Sequence, residues 1–383
     1  MSGKRLVWVA GETSGDLIAG PILQALNAGD QGIRHAGIGG PAMRDAGLDT
    51  WVDIQALSVR GYAEVVRVLP RLLKLRRDTG SRILADRPAM FVGVDAPDFN
   101  FGLERRLRSA GVRCAHLVGP SVWAWRAGRL KSIRECVDHM LLLFPFEKPL
   151  YDRAGIPASY IGHPLADEIV AMDSDPIAAR LRLGLDPAAP TIAILPGSRG
   201  AEIRYMGEVF LEAARWMYAR RHDIQFVVPA ANPSLLASLR QWRAALGMAD
   251  SGHLHIVDGQ ARDAMAACDT ALVASGTATL ELALFGKPMV IAYRMAPMSY
   301  QLMRRMGYLP YVGLPNILAN DWVVPEFIQH AATPTALGSA VLAQLDDQAA
   351  CARIASRFLD LRAELAIGSA QRAAQVLEQC LSD

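Results

Sequence analysis

Two doubly wound α/β domains are the fold class this chain predicts, and three observations carry the prediction. Short apolar runs closed by Gly, Pro or Asp alternate with helical segments through roughly the first 165 residues. The rhythm breaks over Pro164–Pro190, where Met172-Asp-Ser-Asp-Pro176 and Asp186-Pro-Ala-Ala-Pro190 carry turn chemistry, and then starts again. The chain has 383 residues, more than the roughly 250–300 that one core usually serves, and its 51% hydrophobic content leaves apolar mass for two.

Taken in order, Leu6–Ala10 is the first expected strand. It ends at Gly11, and Ser14 or Asp16 would cap a helix running through Leu26. Gly37-Ile-Gly-Gly-Pro41 reads as a turn before another helix. Met90–Val94, Cys114–Val118 and Met140–Phe144 read as buried strands. After the break, Thr191–Leu195, Ile224–Val228, Leu254–Val257, Ala271–Ala274 and Met289–Ala292 restart the series, and Thr335–Ser382 reads as mostly helical. Ligands of open parallel sheets bind beyond the carboxyl ends of the strands. Asp95, Arg199 and Gly276 each follow an expected strand, so they would line one cleft from two sides.

Two small-residue turns suit a diphosphate. Pro196 stops the strand before Gly197-Ser198-Arg199-Gly200, and Ser275-Gly276-Thr277-Ala278-Thr279 follows a later strand. Backbone N–H groups at a helix N-terminus would hold the anion, and the Arg199 guanidinium would supply paired hydrogen bonds and charge. Arg199 could instead pair with Glu202 on the surface. Glu281 would either accept hydrogen bonds from a ribose diol or serve only the helix dipole. Gly11-Glu-Thr-Ser14-Gly15-Asp16 permits close backbone approach to a ligand but is not a GxGxxG fingerprint.

Asp95-Ala-Pro97-Asp98-Phe-Asn100 follows an apolar strand, and Pro97 stiffens it. A carboxylate so placed suits a general base. Asp95 stands nearest the strand end, while Asp98 or Asn100 would orient it or cap the next helix. Trp123 and Trp125 would stack on a sugar face or pack in the core. His163 reads as a turn or hinge residue. No DxD-type acidic cluster stands at a strand end to hold a magnesium–diphosphate, although Asp173 and Asp175 flank a serine in the linker. A metal-independent site without a cofactor is therefore expected.

Composition narrows the partners. A formal net charge of +2 implies no global field for nucleic acid. The five cysteines are scattered with no CxxC pair, which suits reduced thiols in the cytosol and neither a disulfide frame nor a zinc site. The N-terminal apolar run is too short for a signal peptide, and no later run reaches a membrane span. A membrane, if met, would be met at its surface. Within Ser58–Arg77, Arg67, Arg71 and Lys74 share one helical face, and Val65, Val68, Leu69, Leu72 and Leu75 form another. That is the pattern of a segment lying on anionic lipid, or of a core helix with a basic solvated face. Pro70 is expected to split it into two short helices. Exposed apolar surface would also favour a homo-oligomer.

With these residues in view, the chain resembles the lipid-A-disaccharide synthases nearly end to end. The matching stretches are Ala10-Gly-Glu-Thr-Ser-Gly-Asp16, Gly93-Val-Asp-Ala-Pro-Asp-Phe-Asn100, Pro120-Ser-Val-Trp-Ala-Trp-Arg126, Phe144-Pro-Phe-Glu147, Leu195-Pro-Gly-Ser-Arg-Gly-Ala-Glu202, Ala274-Ser-Gly-Thr-Ala278 and Leu314-Pro-Asn316. The resemblance implies a GT-B fold. Residues 1–168 would form an acceptor- and lipid-binding Rossmann-like domain and 169–345 a UDP-sugar donor domain. Residues 346–383 would be a helical segment returning to the first domain. It implies inverting transfer from UDP-2,3-diacylglucosamine to 2,3-diacylglucosamine 1-phosphate (lipid X), by a peripheral protein on the cytoplasmic face of the inner membrane. It assigns Asp95 as the general base, Arg199 to the donor side, and Asn316, Gln329, Ser275–Ala278 and Glu281 to the nucleotide pocket. Ser14, Gly15, Asp98 and Trp123 are further candidates for the acceptor side or cleft. Where the family carries Cys or Met after Glu281, this chain has Leu282-Ala283, an apolar exchange with little bearing on chemistry. A GT-B enzyme acting on UDP-N-acetylglucosamine, such as a 2-epimerase, is the alternative, and a non-catalytic UDP-sugar-binding protein a remoter one.

Overall fold

The computed structural model describes residues 4–29, 32–57, 62–121, 128–172, 174–198, 200–248, 252–296, 300–301 and 310–382, the side chains of 62–68 and 201 excepted. The chain forms two compact units, Met1–Asp167 with Leu365–Asp383, and Glu168–Glu364.

The first unit is built on seven parallel strands: β1 (Arg5–Ala10), β2 (Arg34–Gly39), β3 (Asp49–Asp53), β4 (Met90–Val94), β5 (Cys114–Leu117), β6 (His139–Leu142) and β7 (Ala158–Tyr160). Their order is β3-β2-β1-β4-β5-β6-β7, so the winding reverses between β1 and β4. Their register pairs Ala10 with Val94, which sets Gly11 beside Asp95. Helices cover both faces. Leu6, Trp8, Val92 and Val94 meet Ile22, Leu23 and Leu26 of the Thr13–Ala28 helix, together with Ala373 and Leu377 of the final helix, Ser369–Ser382. Val7, Val9 and Phe91 meet Ile83, Leu103 and Leu107 on the other side.

Asp167 fastens the final helix to this unit. Its carboxylate accepts from Gly368 N at 2.9 Å, Ser369 N at 2.7 Å and Ser369 Oγ at 2.6 Å. The preceding helix, Gln348–Leu365, lies almost wholly in the second unit.

The second unit repeats the plan with β8 (Thr191–Leu195), β9 (Gln225–Ala230), β10 (Leu254–Asp258), β11 (Thr270–Ala274), β12 (Met289–Tyr293) and β13 (Glu326–Ile328), ordered β10-β9-β8-β11-β12-β13. All its strand pairs are parallel, and the reversal falls between β8 and β11.

Three local expectations are corrected. Gly37 lies in a strand, not a turn. A side chain there would sit 2.0 Å from the Trp8 carbonyl oxygen, so the glycine serves the close approach of β1 and β2. Asp16 caps another helix instead of its own, accepting from Gly40 N, Ala42 N and Met43 N, the orphan donors at the start of Pro41–Asp45. Ser14 makes no side-chain cap either. Finally, Pro70 does not divide its segment. One helix spans Tyr62–Asp86, and its buried later turns at Thr79, Gly80 and Ile83 hold it in place where propensity alone would break it.

Candidate active site

At the first unit's reversal, Asp95 and Ala96 both adopt left-handed backbone, with φ of 53° and 44°. Such residues cost about 1–3 kcal/mol each and persist only where their surroundings over-determine them. Several contacts do so here. Asp95 N donates to Leu117 O at 2.9 Å, and Phe99 N and Asn100 N donate to Ala96 O at 3.0 Å. Asn100 Nδ2 donates to Asp95 O at 2.8 Å, Val9 O at 3.2 Å and Val94 O at 3.4 Å. Gly11 makes room, since a Cβ there would lie 2.0 Å from that of Ala96. Gly15 likewise lies against Val94, where a Cβ would approach to 3.2 Å. On the next strand end, Val118 also has positive φ, 76°, an outlier for a β-branched residue that the sequence does not announce.

Asp95 is half-buried, and its carboxylate makes no hydrogen bond or ion pair among the described residues. Asp98 differs. Its side chain is 88% exposed and pairs with Arg129 at 2.8 Å, the arrangement of a surface ion pair in the first helical turn. Ser14 is exposed at the start of the Thr13–Ala28 helix. Trp123 and Trp125 lie outside the described residues.

At the second unit's reversal, the register pairs Leu195 with Val273, so the two expected diphosphate turns are neighbours. Gly197 has φ of 101°, which favours glycine, and Ser198 N donates to Glu202 Oε2 at 3.3 Å. Asn232, which no local motif announces, reaches Ser198 O at 3.3 Å while capping the Pro233–Ala245 helix. Arg199 lies outside the described residues. Ser275 Oγ donates to Val312 O at 2.9 Å and Thr279 Oγ1 to Gly276 O at 2.8 Å. Gly276 and Thr277 are exposed and Ala278 half-buried at the start of Thr277–Leu284. Glu281 stands 3.7 Å from Arg262, and burial pushes its carboxyl up while Arg262 draws it down.

Asn316 and Gln329 are bound internally. Asn316 donates to Val324 O and Glu326 Oε1 and accepts from Val323 N and Val324 N, at 2.8–3.0 Å. Gln329 brackets the Met295 residue, accepting from its N–H and donating to its carbonyl at 3.1 Å. Glu326 was not anticipated. It accepts from Val312 N, Gly313 N and Asn316, which oppose the upward push of burial on its carboxyl. These residues brace the loop beyond β12, next to the Ser275 turn that Val312 also holds.

In the basic amphipathic segment, Leu72 and Leu75 pack partly on the first unit's core, whereas Leu69 and Leu73 are each 45% exposed. Arg71 and Lys74 are exposed beside them, and the Val65 and Val68 side chains lie outside the described residues. Among the described residues, no helix is long and apolar enough to cross a membrane.

Two parallel sheets of one strand order, each bearing loops that converge at its reversal, define a GT-B protein. A UDP-GlcNAc 2-epimerase from Neisseria meningitidis, solved with UDP-GlcNAc, matches with a TM-score of 0.67 at 11% identity, covering 99% of this chain and 100% of that one. An Anabaena protein solved with UDP and glucose matches with a TM-score of 0.56 at 14% identity, over 98% and 99%. At such identities the likeness establishes the fold alone. Sequence goes further. Residues 6–379 match the family model described as lipid-A-disaccharide synthetase. The lipid-A-disaccharide synthase of Paraburkholderia phytofirmans is 49% identical over 97% of this chain and 95% of its own length, and that of Burkholderia pseudomallei 47% over 98% and 96%. The chain belongs to the lipid-A-disaccharide synthase family and is a glycosyltransferase.

Proposed function

We propose that this enzyme transfers 2,3-diacylglucosamine from UDP-2,3-diacylglucosamine to 2,3-diacylglucosamine 1-phosphate with inversion, and that Asp95 is its general base. The observation that carries the base is the Asp95 carboxylate, unpaired among the described residues, on a left-handed turn where the first sheet reverses. Asp95 takes the proton of the acceptor 6-hydroxyl as that oxygen bonds to the donor anomeric carbon. The bond from that carbon to the UDP oxygen breaks, leaving the β-1,6-linked disaccharide 1-phosphate and UDP. Negative charge grows on the departing diphosphate. N–H groups of Gly197, Gly276 and Thr277, with Arg199, offset it where it develops. The nucleotide sugar is a substrate, and the scheme needs no metal.

UDP release tests the reading. It should require both UDP-2,3-diacylglucosamine and lipid X in detergent, and Asp95→Ala should lower kcat by about 10²–10⁴-fold, the usual worth of general-base help. Release without acceptor, or turnover only of UDP-N-acetylglucosamine, would move the chain to another GT-B activity. An Asp95→Ala enzyme at full speed would remove the base.

Acylated substrates sit in a bilayer, and the exposed Leu69 and Leu73, with Arg71 and Lys74 on the same helix, suit docking on its anionic cytoplasmic surface. Leu69→Ser with Leu73→Ser should shift protein from sedimented anionic vesicles to the supernatant. Unchanged partitioning would refute that surface. Self-association through the same exposed leucines is part of this reading, and the double variant should then run at a smaller size in detergent-free gel filtration.

A further inference from the structure

Behind Asp95 lies a buried acid–imidazole pair that takes no part in the reaction scheme. His116 on β5 pairs in register with Gly93 on β4, two residues before Asp95. Glu104, on the Pro97–Ser109 helix, reaches His116 Nδ1 with Oε1 at 2.7 Å, and both side chains are fully buried. The other atoms of the pair, Glu104 Oε2 and His116 Nε2, are buried with no hydrogen-bond partner among the described residues, as is Asn100 Oδ1. The three side chains converge where Gly93 has none. A Cβ at Gly93 would lie 2.1 Å from Glu104 Oε1, 2.9 Å from His116 Nδ1 and 3.3 Å from Asn100 Cβ.

Stability does not account for this pair. Apolar residues of similar volume at a buried ion pair are often neutral or stabilising. Burial pushes the Glu104 carboxyl up, and His116 beside it draws it back down. The pair bonds the helix to β5 one turn after Asn100, and Asn100 is the residue that grips the carbonyls of Val9, Val94 and Asp95.

We propose that Glu104 and His116 are positioning residues for Asp95: they lock the Pro97–Ser109 helix against the sheet so that Asn100 can hold the left-handed turn in place. The proposal rests on Asp95 as the base. It predicts a loss in kcat alone, because a misplaced base slows the chemistry without loosening either substrate. A displacement near 1 Å costs about 10²-fold.

The test compares Glu104→Met and Glu104→Gln with Asp95→Asn, measuring kcat, both KM values and Tm on UDP-2,3-diacylglucosamine and lipid X. Methionine fills the volume without the hydrogen bond, whereas glutamine can still donate to His116 Nδ1. Glu104→Met leaves the buried His116 ring without its partner and lowers Tm, and it should lower kcat about 10–10²-fold with both KM values near wild type. Glu104→Gln should recover most of that loss. Full kcat in Glu104→Met, or loss of kcat and Tm together in both variants, overturns the proposal. Should Glu104→Met not fold, His116→Phe with Glu104→Gln decides by the same split. Full turnover in Asp95→Asn would instead overturn the base, whatever Glu104 does.

Discussion

The turns after β4 and after β11 occupy corresponding positions in two sheets of the same strand order, yet they are built in opposite ways. The first is crowded and strained. Two left-handed non-glycine residues are gripped by Asn100 and pressed on by Gly11, and the turn carries its own carboxylate. The second is open. Gly276 is exposed in extended backbone, a side chain there would meet nothing, and the flanking hydroxyls of Ser275 and Thr279 are tied to backbone carbonyls. A base must be fixed to within a fraction of an ångström. A diphosphate contact built from N–H groups can adapt around its ligand. On the proposed roles of the two turns, strain would serve the base and smallness the diphosphate.

Matched glycine substitutions break this comparison most directly. Gly11→Ala puts a methyl group 2.0 Å from Ala96 Cβ and should spread the turn, lowering kcat by about 10²-fold or more. Gly276→Ala meets open space, so Tm should stay within about 2 °C, and any effect should fall on donor KM. Steady-state kinetics and thermal melts on both variants check this. Equal losses of kcat would show that the two turns do not differ in the way argued.

Acid should destabilise the first unit next. His35 and His163, both buried in the first unit, have pKa values lowered to about 4 by desolvation. A histidine that is neutral when folded binds its proton more readily when unfolded. Stability is therefore full above the unfolded pKa near 6.5, and it is lost as pH falls toward 4. Each such histidine steepens the loss by up to about 1.4 kcal/mol per pH unit. Chemical denaturation between pH 7 and 4.5 should show this slope, and His163→Asn should flatten it by about one proton. An unchanged slope in that variant would mean that His163 is already charged in the folded protein.

Legibility in the sequence follows the same division. The strands and their terminal turns are local facts of hydropathy and of Gly, Pro and Asp placement, so Asp95, Gly197 and Gly276 stand after strands as expected. The purpose of a glycine is not local. Gly37 resembles a turn residue because the Trp8 backbone that needs it is remote in sequence. Polar partners are harder still. Nothing near Asp16 says that it caps Pro41–Asp45, and nothing near Glu104 names His116. Asn316 illustrates the limit: the motif draws attention to it, but only the fold shows its amide bound to Val324 and Glu326. The short strands β3 and β7 escape notice because their residues are only half-buried or exposed and lack an apolar run.

The smallest effect concerns how the first unit is completed. Its core includes Ala373 and Leu377 from the far end of the chain, and Asp167 receives three hydrogen bonds at the start of that helix. This is an N-cap supplied from about 200 residues away in sequence. Asp167→Ala removes the cap and leaves two backbone N–H groups to water, which should cost about 1–2 kcal/mol. If the final helix is integral to the first unit, that cost appears as a lower midpoint for a transition involving β1–β7, and hydrogen exchange rises together in Ser369–Ser382 and in Thr13–Ala28, against which it packs. Exchange confined to Ser369–Ser382 would make the helix a separable appendage. The first unit would then owe its rigidity at Asp95 to its own sheet alone.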